Sequence, residues 1–180
     1  MMVMTYGCAG TGDVEAKNLT TGAMAWSRPD TWTFQRGDLS GSAGKHLYAR
    51  NTSGTVVALN PLTGQKQYSL SNAVKVLVVD ASRVYATCGS QGQYVCAYNI
   101  STGAFEWQNT RFGSPALAAE ADGVLYLDSG VALNAATGQR IKTAPFISGS
   151  TAKALAVGDG RIATVSGSDR ILDLYGLHGY

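Results

Sequence analysis

Short apolar runs separated by polar turns recur along the whole chain. Residues 55–59, 94–98 and 130–133 are such runs, and each is followed directly by an asparagine. Other windows alternate apolar and polar positions, as residues 83–87 do. A period of two residues predicts half-buried β-strands, whereas no window shows the 3.6-residue period of an amphipathic helix. The pattern therefore predicts an all-β protein with essentially no helix.

The turns follow one motif, Asn-x-x-Thr-Gly. It occurs at residues 18–22, 60–64, 99–103 and 134–138, and a degenerate copy ends the chain at residues 175–179. The spacing between successive copies is 35 to 42 residues. Periods of about 20–50 residues are typical of repeat architectures. The sequence therefore predicts one structural unit repeated along the chain.

The chemistry of this motif is that of a hairpin tip. Asparagine can hydrogen-bond its own backbone and open a turn, and glycine supplies the positive φ that closes it. The turn glycines are Gly22, Gly64, Gly103 and Gly138. Four residues after the first three glycines stands a large ring, in Trp26, Tyr68 and Trp107. The fourth copy has Ile141 and Lys142 instead. A ring at a fixed position of the repeat predicts packing between units.

Each repeat contains further strands before its turn. Tyr6, Tyr48, Tyr85 and Tyr126 mark a second strand, which follows a short apolar strand of small residues in the later repeats. Four short strands in about 40 residues are typical of a β-propeller blade. The segments 16–26, 58–68 and 97–107 resemble the Ala-x-Asn/Asp-x-x-Thr-Gly-x-x-x-Trp signature of the pyrroloquinoline-quinone-like (PQQ-like) propeller repeats. The resemblance implies that the ring of each repeat docks onto the neighbouring blade.

The number of strands predicts an incomplete propeller. We expect a single domain over residues 1–180, with repeats at 1–27, 36–70, 73–109, 114–143 and 150–180. The first repeat has only the last three strands of a blade, and the last has only the first three. The predicted eighteen strands cannot close a ring of four-stranded blades. We therefore expect part of a larger propeller, its C-terminal portion, whose end faces are covered by a partner chain, by the remaining blades or by self-association.

Composition excludes several classes of protein. Fourteen basic and twelve acidic residues leave a net charge of +2 without a Lys/Arg cluster, which excludes nucleic-acid binding. No apolar run approaches the roughly 18 residues of a membrane span. Residues 1–8 lack the basic start and apolar core of a signal peptide. Three cysteines without a Cys-x-x-Cys motif, and only two histidines, exclude a zinc site.

Two of the cysteines bear on the compartment. A glycine-rich hairpin separates Cys88 from Cys96 and could place them opposite each other. A disulfide there would favour an extracytoplasmic or secreted protein. The alternative is two free thiols buried as small apolar side chains. The spacing leaves both interpretations open.

Two functions fit the resemblance. The first is a non-catalytic binding, sensor or assembly module, which needs no cofactor and acts through a protein or peptide partner. The second is a fragment of a quinoprotein dehydrogenase, which would hold PQQ and Ca²⁺ in the central channel. The family's dehydrogenases commonly carry adjacent cysteines beneath the quinone, and this sequence has none. We therefore expect the binding module, with no catalytic residue and no metal site.

The irregular loops supply the predicted contact surface. The repeated Thr-Gly turns are uniform and are expected on one rim, and the loops between blades are expected on the other. Varied loops with aromatic and arginine side chains favour recognition on a rigid scaffold. The alternative is that each ring merely seals a gap between blades. The predicted contact residues, which favour an anionic or peptide-like partner, are Trp32, Phe34, Arg36, Arg111, Phe112 and Phe146.

Overall fold

The computed structural model of the chain describes residues 2–6, 13–28, 32–33, 46–51, 53–143, 152–158, 161–166 and 172–176. Every element in these ranges is a β-strand, and no helix occurs among them. The expectation of an all-β chain is confirmed.

Eighteen strands occur within the described ranges, most of them four to six residues long. In chain order they are β1 (Met2–Tyr6), β2 (Asp13–Lys17), β3 (Met24–Arg28), β4 (Trp32–Thr33), β5 (Leu47–Asn51), β6 (Val56–Leu59), β7 (Lys66–Leu70), β8 (Ala73–Val79), β9 (Arg83–Cys88), β10 (Tyr94–Asn99), β11 (Phe105–Asn109), β12 (Ala118–Ala121), β13 (Val124–Leu127), β14 (Val131–Asn134), β15 (Arg140–Thr143), β16 (Ala152–Gly158), β17 (Arg161–Ser166) and β18 (Leu172–Gly176).

The strands form five separate antiparallel sheets in chain order. Sheet 1 contains β1 to β3, sheet 2 β4 to β7, sheet 3 β8 to β11, sheet 4 β12 to β15 and sheet 5 β16 to β18. Each sheet pairs only strands that follow one another in sequence. Three four-stranded units between two three-stranded units are the partial propeller that the sequence predicts. Sheet 2 begins at Trp32, ahead of position 36 where the repeat is expected to start.

The Asn-x-x-Thr-Gly motif closes the turn between the last two strands of sheets 1 to 4. In the second copy the Asn60 side-chain oxygen accepts the backbone N–H of Leu62 at 2.8 Å and of Thr63 at 3.2 Å. The N–H of Gly64 donates to the Asn60 carbonyl at 2.8 Å, with Gly64 at φ +67°. The other three copies repeat these bonds, so the side chain of one asparagine sets the whole turn.

In sheets 1 to 4 an alanine stands two residues before the motif asparagine, and a β-bulge follows it. The bulge determines which residues of the last two strands face each other. In sheet 2 the bulge lies between Ala58 and Leu59, and it sets Tyr68 directly opposite Ala58. Trp26 is likewise opposite Ala16, and Trp107 is opposite Ala97. The methyl group of alanine leaves room for the ring on the same face. This pairing explains why alanine and the aromatic residue occur together in the repeat.

The core lies between sheets. Each cluster of buried side chains combines the facing surfaces of two successive sheets, as Tyr85 and Trp107 of sheet 3 do with Leu125 and Leu133 of sheet 4. Similar clusters join sheets 1 and 2, 2 and 3, and 4 and 5. The first strands β8, β12 and β16 lie side by side. Sheets that stack face to face with their first strands adjacent have the arrangement of propeller blades.

Candidate functional site

The aromatic ring that stands four residues after each of the first three turn glycines lies on the Asn-x-x-Thr-Gly turn of the next sheet. Trp26 of sheet 1 donates its indole N–H to the Pro61 carbonyl at 2.9 Å, and its ring covers Gly64. Trp107 repeats this contact on sheet 4, donating to the Ala135 carbonyl at 3.1 Å and covering Gly138. The Tyr68 hydroxyl donates to the carbonyl of Ile100, beside Gly103. The rings thus fix the distance and angle between successive sheets.

The second-strand tyrosines reinforce these contacts. The hydroxyls of Tyr48 and Tyr68 lie 2.9 Å apart, and burial raises the pKa of both. The Tyr85 hydroxyl donates to the Asp80 carboxylate at 2.7 Å. Burial favours a higher pKa for Asp80, but the bonds from Tyr85 and from the amides of Ser82 and Arg83 outweigh it and hold the pKa below its usual value. Buried hydroxyls therefore stay neutral and Asp80 stays charged near neutral pH.

The structure describes only part of the predicted contact surface. Arg111 and Phe112 are described in full, and both line one groove. Trp32 opens β4 rather than lying in a loop, and its side chain is outside the described part. Phe34, Arg36 and Phe146 also lie outside the described residues.

We call the groove at Arg111 and Phe112 the outer groove. It is open and has a volume of about 700 Å³. One wall is formed by residues 108–112, at the end of β11 and in the loop after it, and the other by residues 137–140, from the turn of sheet 4 to the start of β15. The Asn109 side chain bridges its walls, donating to the Gly138 carbonyl at 2.7 Å and accepting the Arg111 N–H at 2.9 Å. The guanidinium of Arg140 lies 5.5 Å from the centre of the Phe112 ring, within cation–π range. Both walls are therefore held in place.

The outer groove is positively charged. Arg111 and Arg140 line it, and no carboxylate does. In the part of the chain that the structure describes, ion pairs join Glu15 to Lys17 and Arg83 to Glu106, so neither groove arginine takes part in one. Both arginines are exposed. The groove can thus offer two guanidinium groups beside an aromatic ring to an anionic ligand.

Sequence reasoning missed Arg140 and Gln139. Gln139 follows the Thr-Gly turn of sheet 4 and Arg140 opens β15, on the side that the sequence assigns to the structural rim, opposite the loop at residues 109–113. In the structure the loop and the turn are not on opposite rims. The loop at residues 109–113 lies against the turn of sheet 4, because the Asn109 side chain donates a hydrogen bond to the Gly138 carbonyl. Each strand of a sheet is rotated by roughly 20–25° from its neighbour, so the fourth strand of sheet 3 is turned far from the first. The sequence does contain a signal for this contact. If Trp107 docks at Gly138, the residues that follow Trp107 must lie close to those that follow Gly138.

A disulfide joins Cys88 and Cys96 in sheet 3. Cys88 pairs with Tyr94 and Cys96 with Ala86 in the ladder, so the two cysteines are diagonal neighbours rather than directly opposite. Their Cα atoms are 5.9 Å apart, and both residues are buried. The disulfide fastens the hairpin between β9 and β10.

Among the described residues, no three His, Cys, Asp or Glu side chains come together as a metal site. Asp80, Glu120 and Asp122 line one open groove. However, the Asp80 carboxylate already accepts four hydrogen bonds, from the Ser82 amide and hydroxyl, the Arg83 amide and the Tyr85 hydroxyl. Burial raises the pKa of Glu120; the hydrogen bond from the Gly123 amide opposes this rise, and the negative charges of Asp80 and Asp122 add to it. We assign no chemical step to this groove.

Solved structures share this fold. BamB from Moraxella catarrhalis matches with a TM-score of 0.66 at 16% identity, over 97% of this chain and 60% of that chain. A chain of the mitotic checkpoint complex matches with a TM-score of 0.70 at 18% identity, over 93% of this chain and 55% of that one. The computationally designed protein Ika4 matches with a TM-score of 0.63 at 17% identity, over 77% of this chain and 89% of its own. The chain thus spans about 60% of the length of the BamB structure.

Comparison by sequence identifies the family more narrowly than these structures do. No curated protein matches the sequence at a significant level. We also find, within the described ranges, no helix with the length and apolarity to cross a bilayer. The family model described as outer membrane protein assembly factor BamB matches residues 10–175. The chain therefore belongs to the PQQ-like β-propeller repeat family of the outer membrane protein assembly factor BamB.

Proposed function

We propose that the chain is a non-catalytic binding module that holds an acidic, extended segment of a protein partner in the outer groove. The observation that carries this proposal is the pair of exposed arginines, Arg111 and Arg140, which line the groove together with Phe112 and take part in no ion pair of the described residues. A groove lined by two cations and by no carboxylate favours a negatively charged ligand and disfavours a positively charged one.

The scaffold suits recognition because its parts are held rigidly. Trp107 is buried and bonded to sheet 4, which fixes the end of β11 next to the groove. Asn109 fixes the loop that carries Arg111. Arginine and aromatic side chains on such a scaffold supply most of the binding energy at protein interfaces. The volume of about 700 Å³ accommodates a few residues of a peptide.

The family supports an assembly role. Its description names an outer membrane protein assembly factor, and a structural disulfide is typical of oxidising compartments. We infer from these two observations that the module acts in the extracytoplasmic space, where its partner would be a protein engaged in outer-membrane assembly. Trp32, Phe34, Arg36 and Phe146 would extend the same contact surface.

A peptide titration tests the proposal. Fluorescence anisotropy would compare an acidic peptide with its Asn/Gln counterpart of equal length, using the full chain and the variants Arg111→Gln and Arg140→Gln. Each substitution should weaken binding of the acidic peptide about ten- to a hundredfold, the effect of losing one charge-assisted hydrogen bond. The amide peptide should bind weakly to all of them.

The matched control is Lys66→Gln, which removes the same charge from an exposed position on β7. Melting temperatures of all variants would show that the fold is retained. Equal affinity in the groove variants and the control, or equal affinity for both peptides, would contradict the proposal. Replacing Trp32, Arg36 and Arg111 together by alanine extends the test to the wider predicted surface.

A further inference from the structure

A second cavity lies where sheets 2 and 3 meet the segment that leads into sheet 4. We call it the inner pocket. It has a volume of about 280 Å³, and its polar lining comes from Arg50 on β5, Lys75 on β8, Thr87 on β9, Gln91 and Ser114. Because β8 is the first strand of its sheet, the pocket lies on the channel side of the fold, whereas the outer groove borders β11.

Two half-buried cations line the inner pocket. The Nε–H of Arg50 donates to the Gly54 carbonyl at 3.0 Å, which fixes the guanidinium, and its two terminal amino groups donate no hydrogen bond to the described residues. The Lys75 ammonium donates one hydrogen bond, to the Ala116 carbonyl at 3.0 Å. Neither side chain belongs to the ion pairs of the described residues, which join Glu15 to Lys17 and Arg83 to Glu106.

The lining contains no carboxylate. The acidic side chain that contacts the same segment is Asp128, whose carboxylate accepts the amides of Ala116 at 3.0 Å and Leu117 at 3.1 Å. Hydroxyls of Thr87 and Ser114 and the amide of Gln91 add neutral donors. Holding two cations partly out of water without counterions is unfavourable, and a bound anion removes that penalty.

We propose that the inner pocket binds a small organic dianion, with one carboxylate or phosphate group placed on Arg50 and the other on Lys75. The guanidinium fork matches the paired oxygens of either group. The volume of 280 Å³ suits a molecule of a few carbon atoms rather than a peptide segment. The site uses different side chains from the outer groove, so it stands independently of the proposed function.

Isothermal titration of the full chain tests this proposal with three probes: succinate, 2-phosphoglycolate and the uncharged succinamide. We expect succinate or 2-phosphoglycolate to bind, more weakly as salt is added, and succinamide not to bind. The identity of the better anion distinguishes carboxylate from phosphate recognition. Arg50→Gln and Lys75→Gln should each weaken binding about ten- to a hundredfold, and Lys66→Gln should leave it unchanged.

Circular dichroism melts accompany each titration. If Arg50→Gln loses the fold because its bond to Gly54 is broken, Lys75→Gln decides the outcome, since it removes one exposed hydrogen bond. Absence of binding by both anions to the unmodified chain would overturn the proposal. Binding that falls no further in the folded pocket variants than in Lys66→Gln would overturn it equally.

Discussion

Replacing Gly64 by alanine measures how strongly one sheet docks on the next. A Cβ atom at position 64 would lie 2.6 Å from Cε3 and 2.7 Å from Cδ2 of the Trp26 ring, far inside van der Waals contact. The ring cannot retreat without loss, because its indole N–H is bonded to the Pro61 carbonyl and its body is buried. Alanine would also have to adopt the φ of +67° that Gly64 has.

Gly22 provides a matched control for the backbone strain. It has φ +70°, and nothing lies within 4 Å of a Cβ built on it. Alanine in the left-handed region costs about 1–2 kcal/mol, which both variants should lose. Crowding of a packed ring adds about 1–3 kcal/mol for Gly64→Ala alone. We expect the free energy of unfolding to fall by about 1–2 kcal/mol in Gly22→Ala and about 2–5 kcal/mol in Gly64→Ala.

Urea unfolding followed by far-ultraviolet circular dichroism gives both values. A second pair of variants, with and without Gly64→Ala in a Trp26→Ala background, removes the ring that the new methyl group would meet. In that background the cost of Gly64→Ala should drop to that of Gly22→Ala. Equal costs for Gly64→Ala and Gly22→Ala in the natural background would refute the docking account.

Three further predictions concern pH and the disulfide. The pKa of Asp80 is lower in the folded chain than in the unfolded chain, so ionised Asp80 stabilises the fold above the unfolded pKa of about 4, and this stabilisation is lost as pH falls through the folded pKa. The melting temperature should therefore fall less steeply with acid in Asp80→Asn than in the unmodified chain. Burial raises the pKa of Tyr98 to about 12, so the contribution of the neutral hydroxyl to stability is complete below about pH 10 and is lost as pH rises toward 12. The melting temperature should fall less steeply above about pH 10 in Tyr98→Phe, and an unchanged slope would disprove this. Replacing Cys88 and Cys96 by alanine should lower the free energy of unfolding by roughly 2–3 kcal/mol, the value for so short a loop, and reductant should then have no further effect on the melting temperature.

The repeat could be predicted from sequence because its signals are local. One asparagine and one glycine determine the turn through bonds that span no more than four residues, as at Asn60 and Gly64. The number of strands followed from the same signals, since each hairpin closes on its neighbour in sequence. The ring at Trp26 could be assigned to packing because a large side chain recurs at a fixed place.

The outer groove could be predicted only in part. Arg111 and Phe112 stand out as a basic and an aromatic residue in an irregular loop. Arg140 lies 28 residues beyond Phe112 and meets it through the twist of the sheets, which no local pattern records. The inner pocket could not be predicted for the same reason, because Arg50 and Lys75 are each the only charged residue of their strand and share a pocket only after sheets 2 and 3 have packed.

The central claim is that the outer groove is where this module contacts its partner. Site-specific photo-crosslinking in the intact protein, in its native cells, tests it most directly. A photoreactive residue at Thr110, which lines the groove, would be compared with one at Thr102, another exposed threonine, in the turn before β11. The account predicts a discrete protein adduct from position 110 that is absent at position 102 and lost with Arg111→Gln. Adducts of equal yield from both positions, or an adduct at 110 that persists in Arg111→Gln, would contradict it.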